Sequence, residues 1–154
     1  NDQANIEVYG LLYNWYAVND IRNICPAGWH LAADDEWKIL EGTVDSQYHV
    51  GDPEWDDTGL RGYDAGGNMK ETGTTHWNPP NTGGTDASGF TALPGGTQTG
   101  NGTFNNIHAQ GVLWTSSQQN TDSAVNRRLI FNSASIFLEA SSKQNGLSVR
   151  CLKN

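Results

Sequence analysis

Gly146-Leu147-Ser148-Val149-Arg150-Cys151-Leu152 is the stretch on which the fold class turns. Leu147, Val149 and Cys151 alternate with Ser148 and Arg150, and a period of two places the first three on one face of a strand and the polar pair on the other. The preceding segments Val112–Ser116, Ala124–Phe131 and Ser135–Ala140 are also rich in strand formers and are parted by Asn, Ser and Gln, so the last third of the chain predicts an antiparallel sheet. Further back the period changes. Asp34 is placed to cap a helix carrying Trp37, Leu40 and Val44 at i, i+3 and i+7, one apolar stripe that ends near residues 42–44.

Two regions complete the reading. Val8-Tyr9-Gly10-Leu11-Leu12-Tyr13-Asn14-Trp15-Tyr16 predicts a first strand ending near Asn14, and Cys25-Pro26-Ala27-Gly28-Trp29-His30 a turn. From Ser46 to Gly111, Gly-Gly pairs at 66–67, 83–84 and 95–96 and the Pro79-Pro80 pair break every period, predicting a long irregular region with one short helix over 68–71. Such a region needs buried anchors, and Trp55, Trp77 and Phe90 are the candidates. An early strand, one main helix, an irregular middle and an antiparallel C-terminal sheet together define an α+β domain.

Composition narrows the functional classes. With 154 residues the chain is expected to form one domain over 1–154, and its 17% of charged residues lies below the usual share of about 25%. The 18 glycines point to polar, uncharged loops, while six Trp, five Tyr and four Phe argue against disorder. A net charge of -8 repels phosphate backbones, and Arg127-Arg128 is the most basic spot, so nucleic acid is not an expected partner. No apolar run reaches the roughly 18 residues of a membrane span, and direct membrane insertion is not expected. Met69 is the single methionine, so Asn1 is read as the start of a processed product or an excised domain. Cys25 and Cys151 form no CxxC motif and are too few for a zinc site; buried thiols and a disulfide are both open readings. His30, His49, His76 and His108 show no metal-ligand spacing.

The chemical motifs are weak. Asp52, Glu54, Asp56 and Asp57 could supply oxygen ligands to a structural calcium, but Asp57 stands where an EF-hand needs Gly and Tyr63 where it needs Glu, so a solvated acidic loop is the preferred reading. Gly66-Gly67-Asn68-Met69-Lys70-Glu71-Thr72-Gly73 lacks the order of a phosphate-binding loop. No pair of carboxylates stands out as the glycosidase couple, no serine has a nucleophile-elbow context, and no other cofactor is implied, so an enzyme is not expected. Trp37 and Trp114 lie on a helix stripe and within a strand, which assigns them to the core rather than to sugar stacking. The anomaly is residues 118–145. If Ile136 and Leu138 point inward, Phe137 and Glu139 point out; the other register exposes Leu138 instead. A sheet covered on both faces and an exposed patch meant for a partner remain the two explanations.

Six segments carry a family resemblance. They are Tyr9-Gly10-Leu11-Leu12-Tyr13-Asn14-Trp15; Ile24-Cys25-Pro26-Ala27-Gly28-Trp29-His30-Leu31 with Asp35-Glu36-Trp37; Lys70-Glu71-Thr72-Gly73-Thr74-Thr75-His76-Trp77; Ser88-Gly89-Phe90-Thr91-Ala92-Leu93-Pro94-Gly95-Gly96; Trp114-Thr115-Ser116-Ser117; and Gly146-Leu147-Ser148-Val149-Arg150-Cys151. In this order they closely resemble the Fibrobacter succinogenes major paralogous domain, from about Tyr9 to Lys153. The resemblance implies a fold similar to C-type lectins and the formylglycine-generating enzyme, a Cys25–Cys151 disulfide, and an extracytoplasmic, secreted or surface-anchored setting. Cys151 has no nearby cysteine partner, so the enzyme's activity is not carried over.

Many members look like target proteins of diversity-generating retroelements, and Trp114–Cys151 resembles their variable region. Ser116, Ala124, Arg127, Leu129, Ile136, Lys143 and Gly146 stand at framework-like positions. The resemblance therefore implies a scaffold over about 8–117, a ligand-binding segment over 118–145 and a closing strand over 146–152. The contact pool is Val125, Asn126, Arg128, Ile130, Phe131, Phe137, Leu138 and Glu139, of which about half are expected to point into the core. The expected function is recognition of a protein or glycan on another cell surface. The alternatives are a carbohydrate-binding or carbohydrate-processing domain and a purely structural module of a larger surface protein.

Overall fold

The computed structural model describes residues 2–154. The first segment departs from expectation: residues 3–9 form helix α1 (Gln3–Tyr9), not the start of a strand. Local polar chemistry overrides the strand formers here. The Asp2 side chain accepts the Ala4 N–H at 3.0 Å, and Gly10 ends the helix at φ +77°, where a side chain would be strained. Tyr13 then makes a single bridge, its N–H donating to Leu147 O at 2.8 Å and its carbonyl accepting the Leu147 N–H at 3.0 Å. Asn14 accepts the Ala17 N–H and opens a second short helix, α2 (Trp15–Val18).

The main helix α2 leads to is preceded by β1 (Trp29–Leu31), a strand where the sequence predicts only a turn. Helix α3 (Asp34–Val44) follows, with Trp37 buried and Leu40 and Val44 packed beside it as expected. Its cap differs from the sequence reading: Ala33 is the capping residue and the Glu36 carboxylate accepts its N–H at 2.8 Å, while Asp34, Asp35 and Glu36 complement the positive end of the helix. The irregular middle contains a 3-10 turn (Pro53–Asp56), β2 (Gly59–Arg61), helix α4 (Ala65–Met69) and a hairpin of β3 (Thr97–Gln98) with β4 (Phe104–Asn105). The expected helix over 68–71 thus lies earlier, at 65–69. Gly66 and Gly67 let this helix pack directly against neighbouring backbone, since a Cβ on either would lie 2.3 Å from a carbonyl oxygen, of Ser135 or Gly83.

The C-terminal third forms β5 (Gln110–Gln118), β6 (Ser123–Ile130) and β7 (Ile136–Ser142), near the boundaries that the alternation predicts. With β2 they build a four-stranded antiparallel sheet in the order β2-β7-β6-β5. The closing segment is shorter than expected. Only β8 (Cys151–Lys153) is a strand, paired with β1, whereas Gly146, Leu147 and Ser148 are shared out as single bridges to Gln98, Tyr13 and Leu113. Cys25 and Cys151 form a disulfide with Cα atoms 5.8 Å apart, fastening the segment before β1 to the start of β8.

Two apolar clusters cover the two faces of the sheet. Trp37, Trp55, Met69, Trp77, Leu113, Leu129 and Ile136 form one; Trp15, Leu31, Val112, Trp114, Ala124 and Leu147 form the other. Neighbouring residues of β5 divide between them, Leu113 with the first and Trp114 with the second, as a pleated strand requires. Trp37 and Trp114 are core, as expected, and Trp55 and Trp77 anchor the irregular middle at 1% exposure each. Each of four tryptophans also carries a cation over its ring: Lys143 on Trp15, Arg127 on Trp37, Arg61 on Trp55 and Lys70 on Trp77, at 4.6 to 5.8 Å. All four cations are themselves buried, so aromatic faces replace part of the lost water around them.

Candidate functional surface

Residues directly opposite each other in antiparallel strands share a face. Phe137 stands opposite both Leu60 and Arg128, and Glu139 opposite Asn126. Leu138 stands opposite Arg127, and Val125 opposite Ala140, on the other side of the sheet. The register with Ile136 inward is therefore the one adopted: Ile136 is fully buried in the first cluster, and Phe137 points to the opposite face. On that face Trp114, Val112 and Ala124 are covered by the second cluster toward the β5 edge. Toward β2 the cover ends, and Arg128, Phe137 and Glu139 are half-buried while Leu60 is 54% exposed.

The eight residues of the contact pool thus separate. Arg128, Ile130, Phe137 and Glu139 come together on the outward face. Asn126 shares that face but is fully buried, donating through Nδ2 to Ser141 Oγ at 2.9 Å, so it holds β6 to β7 and presents nothing to a ligand. Val125 and Leu138 turn toward the side of the first cluster, and Phe131 packs on that cluster just beyond β6. Leu60 belongs with the outward group and was absent from the pool, because a three-residue strand inside a Gly- and Asp-rich region has no alternation from which to infer its pairing.

The outward group is pre-arranged by its own electrostatics. The Arg128 guanidinium lies 4.1 Å from the Phe137 ring centroid and donates through Nε at 3.0 Å and through Nη2 to the two oxygens of Glu139. A two-point pair of this kind fixes the planar fork, and the ring beneath it restricts the remaining freedom. The Arg128 side chain has thus already lost much of its conformational freedom.

On the inner face, Glu41 receives the guanidinium groups of both Arg61 and Arg127, and Arg127 also pairs with Asp34 at 2.7 Å. Both arginines and Glu41 have no side-chain exposure. This network locks α3 to β6 and β2, directly behind the outward patch. Lys70, also buried, donates to the carbonyls of Thr82, Ile130 and Ser133 and so pins the turn between β6 and β7. Burial without a carboxylate partner lowers its ammonium to a pKa of about 8.

The acidic loop residues are dispersed among structural duties. Asp52 accepts the Glu54 N–H, Glu54 accepts the Gly62 N–H, and Asp56 pairs with Lys38 at 2.7 Å. Among the described residues no three His, Cys, Asp or Glu side chains converge as a metal site, and no helix is long and apolar enough to cross a membrane.

Helices and antiparallel sheets, with the segment before β1 joined to β8 by a disulfide, define a mixed α+β domain of the kind that an oxidising, extracytoplasmic compartment maintains. Within that class the chain belongs to the family described as the Fibrobacter succinogenes major domain, whose pattern it matches over residues 1–153. No curated protein and no solved structure matches the chain.

Proposed function

We propose that the protein is a non-enzymatic recognition module of a bacterial or phage surface protein, and that it engages a protein ligand on another cell through the outward face of β2, β7 and β6. The observation that carries this reading is the Arg128–Phe137–Glu139 arrangement, an aromatic and arginine pair held rigid beside exposed Leu60. Interface hot spots are enriched in such anchors. The disulfide and the pairing of β1 with β8 support a lectin-like fold with its ends together. A recognition role is further supported by the carboxylates Asp52, Asp56 and Glu71, which are engaged by a turn N–H, by Lys38 and by His76 rather than held as an opposed pair.

The finer part of the proposal is that β6 and β7 are diversified by a retroelement. Arg127, Leu129, Ile136 and Lys143 are buried and would stay constant, whereas Arg128, Ile130, Phe137 and Glu139 stand where substitution leaves both cores intact.

The test is retention of the immobilised domain's partners from whole cells and from an array of their surface proteins. Phe137→Ala and Arg128→Glu are expected to weaken retention at least about thirtyfold, the scale of a hot spot. Ile39→Ala, on the exposed side of α3, should leave it unchanged. Retention insensitive to both patch substitutions, or turnover of a glycan that disappears with Asp52→Asn, Asp56→Asn, Asp57→Asn or Glu71→Gln, would overturn the reading.

A further inference from the structure

A second surface lies away from the sheet patch. Helix α1 and the following Gly10–Leu12 segment form one wall of an open groove of about 590 Å³, and the β3–β4 hairpin with residues 105–107 forms the other. That volume lies within the range of about 300 to 1,000 Å³ typical of small-molecule sites. Phe104 is 55% exposed at the groove, beside Leu11 at 52%. The polar part of the lining is dominated by the amides Asn5, Gln98, Asn105 and Asn106, and Asp2 is the single charged residue. Gln98 and Asn106 make no side-chain hydrogen bond within the described residues. No lysine or arginine lines the groove to pair with an anion.

Tyr9 also lines this wall, and its hydroxyl lies beside His108. His108 Nδ1 lies 2.9 Å from the His76 carbonyl and 3.1 Å from Tyr9 Oη. A carbonyl only accepts, so Nδ1 carries the proton; Tyr9 Oη then accepts from the same N–H, and its own proton has no acceptor among the described residues. Burial first, and the Glu71 charge second, hold the phenol above its ordinary pKa. The opposite wall is braced through Gln98, whose N–H donates to Gly146 O at 2.9 Å and whose carbonyl accepts the Gly146 N–H at 2.8 Å.

We infer that this groove is a binding site for a neutral oligosaccharide, with Phe104 under a sugar face and Tyr9, Gln98 and Asn106 on its hydroxyl groups. Amides both donate and accept, as hydroxyls do, so unpaired amides around an exposed ring match a sugar better than they match an apolar peptide or a charged ligand. The site is independent of the sheet patch and shares no residue with it.

The experiment is isothermal titration of the intact disulfide-bonded domain with neutral gluco-, manno- and xylo-oligosaccharides of three to six units. At least one series is expected to bind. Phe104→Ala and Tyr9→Phe, both changes at a surface groove, should each weaken it about five- to tenfold, the scale of one stacking contact or one hydrogen bond. Phe137→Ala should bind the same sugar unchanged, which separates this site from the proposed protein surface. Absence of binding to every series would overturn the inference, as would binding that survives Phe104→Ala and Tyr9→Phe or that is lost with Phe137→Ala.

Discussion

Asp45 is the residue with the most concentrated structural role. Its two oxygens accept the backbone N–H groups of Gln47, Tyr48, Tyr63, Asp64 and Ala65, and so join the end of α3 to the start of α4. Burial opposes its ionisation, but the N–H donors outweigh burial and lower the carboxyl below its ordinary value. A depressed folded pKa gives stability that is present above the ordinary value near 4 and lost as pH falls through the folded one. Asp45→Asn is therefore expected to destabilise by about 2 kcal/mol at pH 7 and to flatten the acid limb of stability, measured by urea unfolding from pH 7 to 2. An unchanged acid limb in the variant would contradict this role. Lys70 is shifted in the same direction for a different reason, because burial favours its neutral form. Its folded pKa of about 8 lies below the ordinary lysine value of 10.5, so the unfolded chain holds the proton more tightly and stability rises as pH climbs between the two. The stability gap between the wild type and Lys70→Met should widen from pH 8 to 10; a constant gap would exclude a buried, proton-releasing lysine.

At the scale of elements, the disulfide and the short β1–β8 pair close a span of 126 residues. Removing the bridge with Cys25→Ser and Cys151→Ser together is expected to lower stability by about 4 to 5 kcal/mol in the chain-entropy model. Intact mass before and after reduction should differ by two hydrogens, and free alkylation of both thiols in the native protein would refute the bridge. The elements that were legible beforehand are those whose side chains repeat: α3 through Trp37, Leu40 and Val44, and β5 to β7 through their alternation. Those that were missed are set by interactions that leave no period. Helix α1 depends on one Asp cap and one Gly stop within a run of strand formers, and β2 depends on pairing with a strand 75 to 79 residues further along the chain. The Gly146–Leu152 stretch alternates as a strand does, yet its backbone partners change from residue to residue. The outward patch was half legible for the same reason: Phe137 and Glu139 followed from a choice of register, while Leu60 and the burial of Asn126 depend on neighbours in three dimensions.

For the whole molecule, a sheet buried on both faces near β5 and uncovered near β2 separates scaffold from surface within the same strands. Inward Arg127 and Leu129 alternate with outward Arg128 and Ile130, and the Glu41 network stands behind them. Such a layout lets one face change while the other carries the fold, which is the central claim for this protein. Sequencing the locus across sibling isolates, together with any adjacent near-copy repeat, tests it most directly. The account predicts replacement changes concentrated at Arg128, Ile130, Phe137 and Glu139, at adenines of the repeat, with Arg127, Leu129, Ile136 and Lys143 constant. Replacements spread evenly over both faces of β6 and β7, with no repeat nearby, would contradict it.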